Sequence, residues 1–158
     1  MKNRCFISVG SNIEPADNIK LAIKAFYSRF ENVFISSVYQ GSSVGFDSSD
    51  FLNLVVLIES EQISLDEIKA FLYQVENKAN RVRIKNKFSS RTLDLDLLTF
   101  NHMVDSANNI PHPDILKYPF VFIPLIEVDA NFSHPLTGEA LSTHLKVGDT
   151  GRLVKVEI

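Results

Sequence analysis

The sequence predicts an α+β fold, an antiparallel sheet with helices packed on its faces, in one domain spanning residues 1–158. Three observations predict it. Strand-like and helix-like segments interleave as β-α-β-β-α-β. The two main helical stretches carry apolar residues at i, i+3 and i+4. At 158 residues and 45% apolar content, the chain can bury a sizeable core.

CFISVG at 5–10 reads as a buried strand, ended by a Gly10-Ser11-Asn12 turn in which Gly10 supplies conformational freedom. Ile19, Ile23, Phe26 and Phe30 recur at helical spacing, which predicts a helix from Pro15 or Asp17 to Phe30. VFISSVY at 33–39 is a strand leading into a small, polar loop, residues 41–50. FLNLVVLIES at 51–60 is the strongest strand, rich in β-branched and aromatic residues. Ser64 and Glu67 form a capping box that opens a second helix, with Leu65, Ile68, Leu72, Val75 and Ala79 as its apolar face. A basic loop, 81–91, precedes the strand RTLDLDLLTF, residues 91–100. Pro111, Pro113 and Pro119 punctuate a connection carrying His112, and FVFIPLIEV at 120–128 is expected to begin or pack a third helix around Pro124. HPLTGEAL is a turn and short helix, and RLVKVEI a final strand. This order is the ferredoxin-like pattern, with helices against an antiparallel sheet.

Composition narrows the function classes. A net charge of −3 argues against broad attraction to nucleic acid or membranes. Cys5 is the only cysteine, so an intrachain disulfide and a CxxC metal site are excluded, which suits a reducing compartment. The apolar run near the N-terminus is too short for a signal peptide, and no stretch approaches the ~18 residues of a membrane helix. The expectation is a cytoplasmic protein. GxxxxGK[ST] and GxGxxG are both missing, so any nucleotide site is of another type.

In RTLDLDLLTF, Leu93, Leu95 and Leu97 face one way and Asp94 and Asp96 the other. The two carboxylates leave one face with Cα atoms about 6 to 7 Å apart. Adjacent acids repel, so the pattern reads either as a solvated strand face or as a seat for a hard cation. Mg²⁺ suits the second reading, because it binds through one or two carboxylates plus substrate phosphates. Arg81, Arg83, Lys85, Lys87 and Arg91 precede the acids with no acidic residue between Glu76 and Asp94. Cations leading into paired carboxylates suit a metal-bound polyphosphate, although a solvated charged loop is the commoner fate of such a run. Asn53 shares a strand face with Phe51, Val55 and Leu57; either backbone groups or a planar heterocycle satisfy its amide. Phe51, Phe88 and Phe120 are candidate stacking rings. His112 stands on a stiff segment as a candidate phosphate contact or acid/base, and Glu76 as a helix cap or a salt-bridge partner for the basic loop.

These residues resemble a known family. R-T-L-D-L-D-L at 91–97, after R-V-R at 81–83 and before I-P-H-P at 110–113, is similar to 6-hydroxymethyl-7,8-dihydropterin pyrophosphokinase of folate biosynthesis. G-S-N at 10–12, F-L-N at 51–53, F-V-F-I-P-L at 120–125 and H-P-x-T-G at 134–138 extend the likeness over nearly the whole chain. The resemblance implies transfer of a diphosphate from ATP to the hydroxymethyl group of the pterin, with AMP released and two Mg²⁺ ions used. Carried over, Asp94 and Asp96 ligate the metals, and Arg81, Arg83 and Arg91 join them in catalysis. Glu76, Arg83, Phe88, Arg91, Leu97, His112 and Lys117 fall at ATP-contacting positions. Val44, Phe51, Asn53, Phe88, Asp94 and Phe120 fall around the pterin. The family often has arginine where this chain has Tyr118; Lys117, Lys85 and Lys87 are the candidate replacements. GSSVG stands where T-x-P-x-G is usual, and Phe88 where many members have tryptophan. The loops 40–50 and 81–90 are candidate lids. A nucleotidyltransferase or nuclease also suits paired acids on such a sheet, and an inactive nucleotide- or pterin-binding module is the non-enzymatic alternative. The expected partners are small molecules only, bound by a monomer.

Overall fold

The computed structural model describes residues 2–41, 51–81, 93–144 and 153–158. Its strands are β1 (Asn3–Ser11), β2 (Asn32–Ile35), β3 (Val38–Gly41), β4 (Phe51–Ser60), β5 (Asp94–Phe100) and β6 (Leu153–Val156). Its α-helices are α1 (Pro15–Arg29), α2 (Leu65–Arg81), α3 (Asp114–Lys117) and α4 (Pro119–Val128). The sheet runs β5-β1-β4-β3-β6, with β2 also on β4, and every pairing is antiparallel. Counting β2 and β3 as one interrupted strand, this is the ferredoxin-like order extended by β6.

Strand periodicity divides the core in two. Cys5, Ile7 and Val9 of β1, Leu52, Leu54, Val56 and Ile58 of β4, and Leu95 of β5 meet α1 and α2 on one face. Phe6, Val55, Leu57 and Leu98 project from the other face to meet Ile115 of α3 and Val121, Phe122 and Leu125 of α4. Helices thus cover both faces, and the 120–128 segment supplies the second layer. In the capping box of α2, the Glu67 N–H donates to Ser64 Oγ at 3.1 Å, and that hydroxyl donates to Glu67 Oε1 at 3.1 Å. Such a cap contributes about 1 kcal/mol.

Two irregularities depart from the sequence pattern. The single strand expected over 33–39 is broken at Ser36 and Ser37. Ser36 Oγ accepts the Val55 N–H at 2.9 Å, so a side chain substitutes in the ladder. Glu127 of α4 takes the groups freed there: its Oε2 accepts from Ser37 N–H at 2.6 Å and Ser37 Oγ at 2.9 Å, and its Oε1 from the Tyr39 hydroxyl at 2.5 Å. Burial alone raises the Glu127 pKa, but these donors and Lys155 outweigh it and hold the carboxyl below its ordinary value. The second irregularity is a β-bulge. Ile7 opposes Leu97 while Phe6 opposes Thr99, so Leu98 is an extra residue on β5. Leu98 therefore joins the α4 core, and Phe100 returns to the α1–α2 core.

Candidate active site

Register decides which side chains meet on the α4 face. Gly10 lies between Asn53 of β4 and Asp94 of β5, and Ser8 lies between Val55 and Asp96. Residues two apart share a strand face. Phe51, Asn53, Gly10, Ser8, Asp94 and Asp96 therefore gather toward one end of this face, and Phe6, Val55, Leu57 and Leu98 fill the part beneath α4. The two acids are half-buried and share a side, as the Asp-Leu-Asp alternation predicts.

Gly10 corrects the sequence reading. It is an interior residue of β1 rather than part of a turn, and its φ is not positive. A Cβ placed on it would lie 2.7 Å from Asn53 Oδ1, inside any ordinary contact. Glycine is needed here for space: it lets the buried Asn53 amide lean across β1 toward the acids. Phe51 stands at the rim of the same strand face, 36% exposed, with Asn53 only 6% exposed.

The chain after β5 folds back so that the His112 N–H donates to Leu98 O at 2.9 Å, bringing the P-H-P segment beside the acids. Ligand atoms of Asp96, His112 and Asp114 then lie within 4.8 Å of one another. His112 Nδ1 accepts the Asp114 N–H at 3.1 Å and also sits 3.8 Å from Asp114 Oδ2. The longer contact would be an ion pair only with a proton on Nδ1. Because Nδ1 already accepts an N–H, the neutral ring carries its proton on Nε2, and the 3.8 Å contact sets two acceptors side by side. The carboxylate oxygens of Asp94, Asp96 and Asp114 are the hard donors that Mg²⁺ takes, so the acids fit that ion in chemical type, and the imidazole stands beside them as an N–H donor. Asp114 was missed from sequence; an acid two residues beyond His112 was the available signal.

Other predicted residues take definite places. Glu76 Oε2 accepts the Leu95 N–H at 3.1 Å, tying α2 to the backbone between the two acids. This hydrogen bond goes to an edge strand, where outward N–H groups need partners, and the basic loop expected to pair with Glu76 lies mostly outside the described residues. Leu97 packs against the α1–α2 core, on the side opposite Asp94 and Asp96. Phe120, half-buried at the start of α4, stacks on Tyr118 with ring centres 4.9 Å apart, and the exposed Lys117 extends its ammonium to 5.0 Å from the Tyr118 ring centre. His134, in the H-P-x-T-G segment, is buried in its own turn, where Nδ1 accepts from Leu136 and Thr137 N–H at 3.2 and 3.3 Å. Val44, Arg83, Phe88, Arg91, Lys85 and Lys87 lie outside the described residues, as do most of both candidate lids. Arg81 closes α2. Among the described residues, no helix is long and apolar enough to cross a membrane.

A sheet face that carries paired acids, an imidazole and a buried amide defines an α+β protein equipped to hold a cation-bound polyphosphate beside a planar polar ligand. The comparisons narrow that class. A family profile described as 7,8-dihydro-6-hydroxymethylpterin-pyrophosphokinase (HPPK) matches residues 6–130, and the chain belongs to this family. A 2-amino-4-hydroxy-6-hydroxymethyldihydropteridine pyrophosphokinase of Haemophilus influenzae is 34% identical over 137 residues, covering 82% of this chain and 84% of the relative. The Synechocystis enzyme of the same name is 32% identical over 140 residues, covering 85% and 71%. Among solved structures, the Plasmodium falciparum HPPK-DHPS triple mutant with pteroate superposes with a TM-score of 0.72 at 8% identity, covering 100% of this chain. The wild-type HPPK-DHPS gives 0.67 at 10% identity over 91% of this chain. This chain spans 47% and 44% of those two chains, and at such low identity they show the fold.

Proposed function

We propose that this chain transfers the diphosphate of ATP to the hydroxymethyl oxygen of 6-hydroxymethyl-7,8-dihydropterin, releasing AMP, as a step of folate biosynthesis. The observation that carries the reading is the row Asn53–Gly10–Asp94: an amide fit for a heterocycle edge stands one strand away from a carboxylate fit for a cation. Family membership supplies the substrates.

Asn53 hydrogen-bonds the pterin edge, and Phe51 and Phe120 take its two faces, with backbone near Val44 and the Phe88 ring completing the pocket. Asp94 and Asp96 would hold the two Mg²⁺ ions, with His112 and Asp114 beside Asp96. When bound, Mg²⁺ neutralises polyphosphate charge and makes a coordinated hydroxyl more acidic. The protein's share of catalysis is then positioning and charge compensation, with no covalent intermediate on a side chain. His112 directs its Nε2–H to a phosphate oxygen. Arg81, Arg83 and Arg91 offer forked donors to the transferring group, and Lys117 a point charge to the nucleotide. Glu76 and the backbone of Leu97, both at the β5 edge, border the nucleotide. The chain works as a cytoplasmic monomer on small molecules.

The test is AMP formation in a coupled assay with ATP, the pterin and Mg²⁺, omitting each in turn. AMP that appears only with all three present supports the reading. Pyrophosphate release, or no AMP at all, overturns it. Light scattering of the eluting protein checks the monomer.

A further inference from the structure

Tyr118 is the hinge between α3 and α4, and its backbone is held from both sides. Its N–H donates to Asp114 O at 3.1 Å, and its carbonyl accepts from Val121 and Phe122 N–H at 2.9 and 3.1 Å. The following residue, Pro119, restricts Tyr118 to extended backbone, observed at φ −118 and ψ 126. Tyr118 is the N-cap of α4 and Phe120 lies in its first turn, and the two rings stack, 4.9 Å between centres and 15° from parallel. The Lys117 ammonium lies 5.0 Å from the Tyr118 ring centre, within cation–π range. Three consecutive non-proline positions, Lys117, Tyr118 and Phe120, thus form one contact series of ammonium, phenol and phenyl.

We propose that Tyr118 is a positioning residue that couples the two substrate subsites, holding the pterin-stacking ring of Phe120 and the nucleotide-facing ammonium of Lys117 through its own ring. The proposal rests on the function proposed above. Phe120 packs in part on the α4 core, and the Tyr118 ring lies along its face and restricts its rotation from that side, which fixes the face offered to the pterin. Lys117 is exposed and flexible; the electron-rich face of Tyr118 limits where its charge dwells. Preorganisation of this kind lowers the ordering cost of each substrate rather than adding a contact.

The experiment compares Tyr118→Ala, Tyr118→Leu and Tyr118→Phe with the wild type. KM is measured for both substrates, and calorimetry follows 6-hydroxymethylpterin and a nonhydrolysable ATP analogue with Mg²⁺. Tyr118→Ala should weaken both ligands, each roughly two- to tenfold, with kcat changed far less. Tyr118→Phe should restore both, because the ring and not the hydroxyl makes the contacts. Tyr118→Leu should restore pterin affinity more than nucleotide affinity, because it supplies bulk without an aromatic face. Weakening of one ligand alone, or failure of Tyr118→Phe to rescue, overturns the coupling. Should Tyr118→Ala not fold, Tyr118→Leu decides: equal affinities to wild type for both ligands refute the proposal. Because calorimetry needs no turnover, absence of AMP in the wild type would refute the proposed activity and still leave the coupling measurable.

Discussion

Gly10→Ala adds one methyl group to the centre of the site and isolates the role of Asn53. The new Cβ would lie 2.7 Å from Asn53 Oδ1 and 3.8 Å from its Cγ, whereas ordinary contact begins at 3.4 Å. The amide must therefore withdraw by about 0.7 Å, the difference between 3.4 and 2.7. Hydrogen bonds to a ligand hold within a window of about 0.5 Å, so that displacement breaks the pair an amide can form with a heterocycle edge. The Asn53 backbone cannot yield, since β4 is paired along its length with β1 on one side and β2 and β3 on the other. Losing two bonds at a buried site costs roughly 2–3 kcal/mol, about 30- to 150-fold in pterin affinity. Stability should change little. The φ of Gly10 is not positive, and alanine there restricts the unfolded chain, which offsets the local clash by about 0.4–1 kcal/mol. The assay is steady-state AMP formation with the pterin varied at saturating ATP, alongside a thermal melt. An unchanged pterin KM refutes the role given to Asn53. An equal rise in the KM for ATP, or a collapse of the melt, shows that the strand and not the amide was damaged.

Three further outcomes test separate parts of the structure. Asp96→Ala should abolish turnover with the fold retained, and Mn²⁺ binding followed by electron paramagnetic resonance should weaken; near-normal AMP formation removes Asp96 from the metal site. Arg91→Ala should chiefly lower kcat, as expected for a donor that tightens on the transferring group, and an unchanged kcat assigns Arg91 a structural role. Glu127→Gln should cost about 1–2 kcal/mol at pH 7, because an amide oxygen is a poorer acceptor for the Tyr39 and Ser37 donors and its charge no longer meets Lys155. The folded Glu127 pKa is lowered, so its contribution is full above the unfolded carboxylate value and fades as pH falls through the folded one. The stability gap between wild type and variant should therefore be constant above the ordinary glutamate value of about 4.3 and narrow as the pH falls below it, and a gap in urea melts that does not narrow down to the lowest pH at which both still fold refutes this.

Much of the fold was legible because it follows period. The 51–60 strand, the capped helix from Ser64 and the two faces of the Asp-Leu-Asp strand all obey local rules that hold in the tertiary structure. What escaped was set by partners distant in sequence. Ser36 and Ser37 look like ordinary strand residues until Glu127, about 90 positions away, takes the Ser37 N–H and ends β2. Leu98 reads as one more leucine, and only the register against β1 reveals it as the bulged residue. Gly10 signals a turn locally, and its actual constraint is the side chain of Asn53 on the neighbouring strand. Asp114 became visible once the His112 N–H was seen to dock on Leu98.

The position of the site follows from an inequality of lengths. β4 has ten residues and spans about 33 Å, whereas α4 also has ten and spans about 15 Å. A helix that short cannot cover the second face of the sheet as α1 and α2, with fifteen and seventeen residues, cover the first. β1, β4 and the edge strand β5 all change character along this face, β4 one row later than the other two. β1 passes from Phe6 to Ser8 and Gly10, β4 from Leu57 and Val55 to Asn53, and β5 from Leu98 to Asp96 and Asp94. Apolar residues lie beneath α4, and polar ones begin beyond it. The bulge at Leu98 makes this compatible with the first core, because it lets β5 offer two acids and then a leucine to one face while Phe100 still reaches the other. Two adjacent carboxylates, costly under a helix, stand on the half of the face that α4 does not cover. The Asp129 end of α4 lies over Arg4, away from the acids, so an extension that buried them would have to come at the other end, and the start of the helix at Pro119 keeps that half of the face clear of α4.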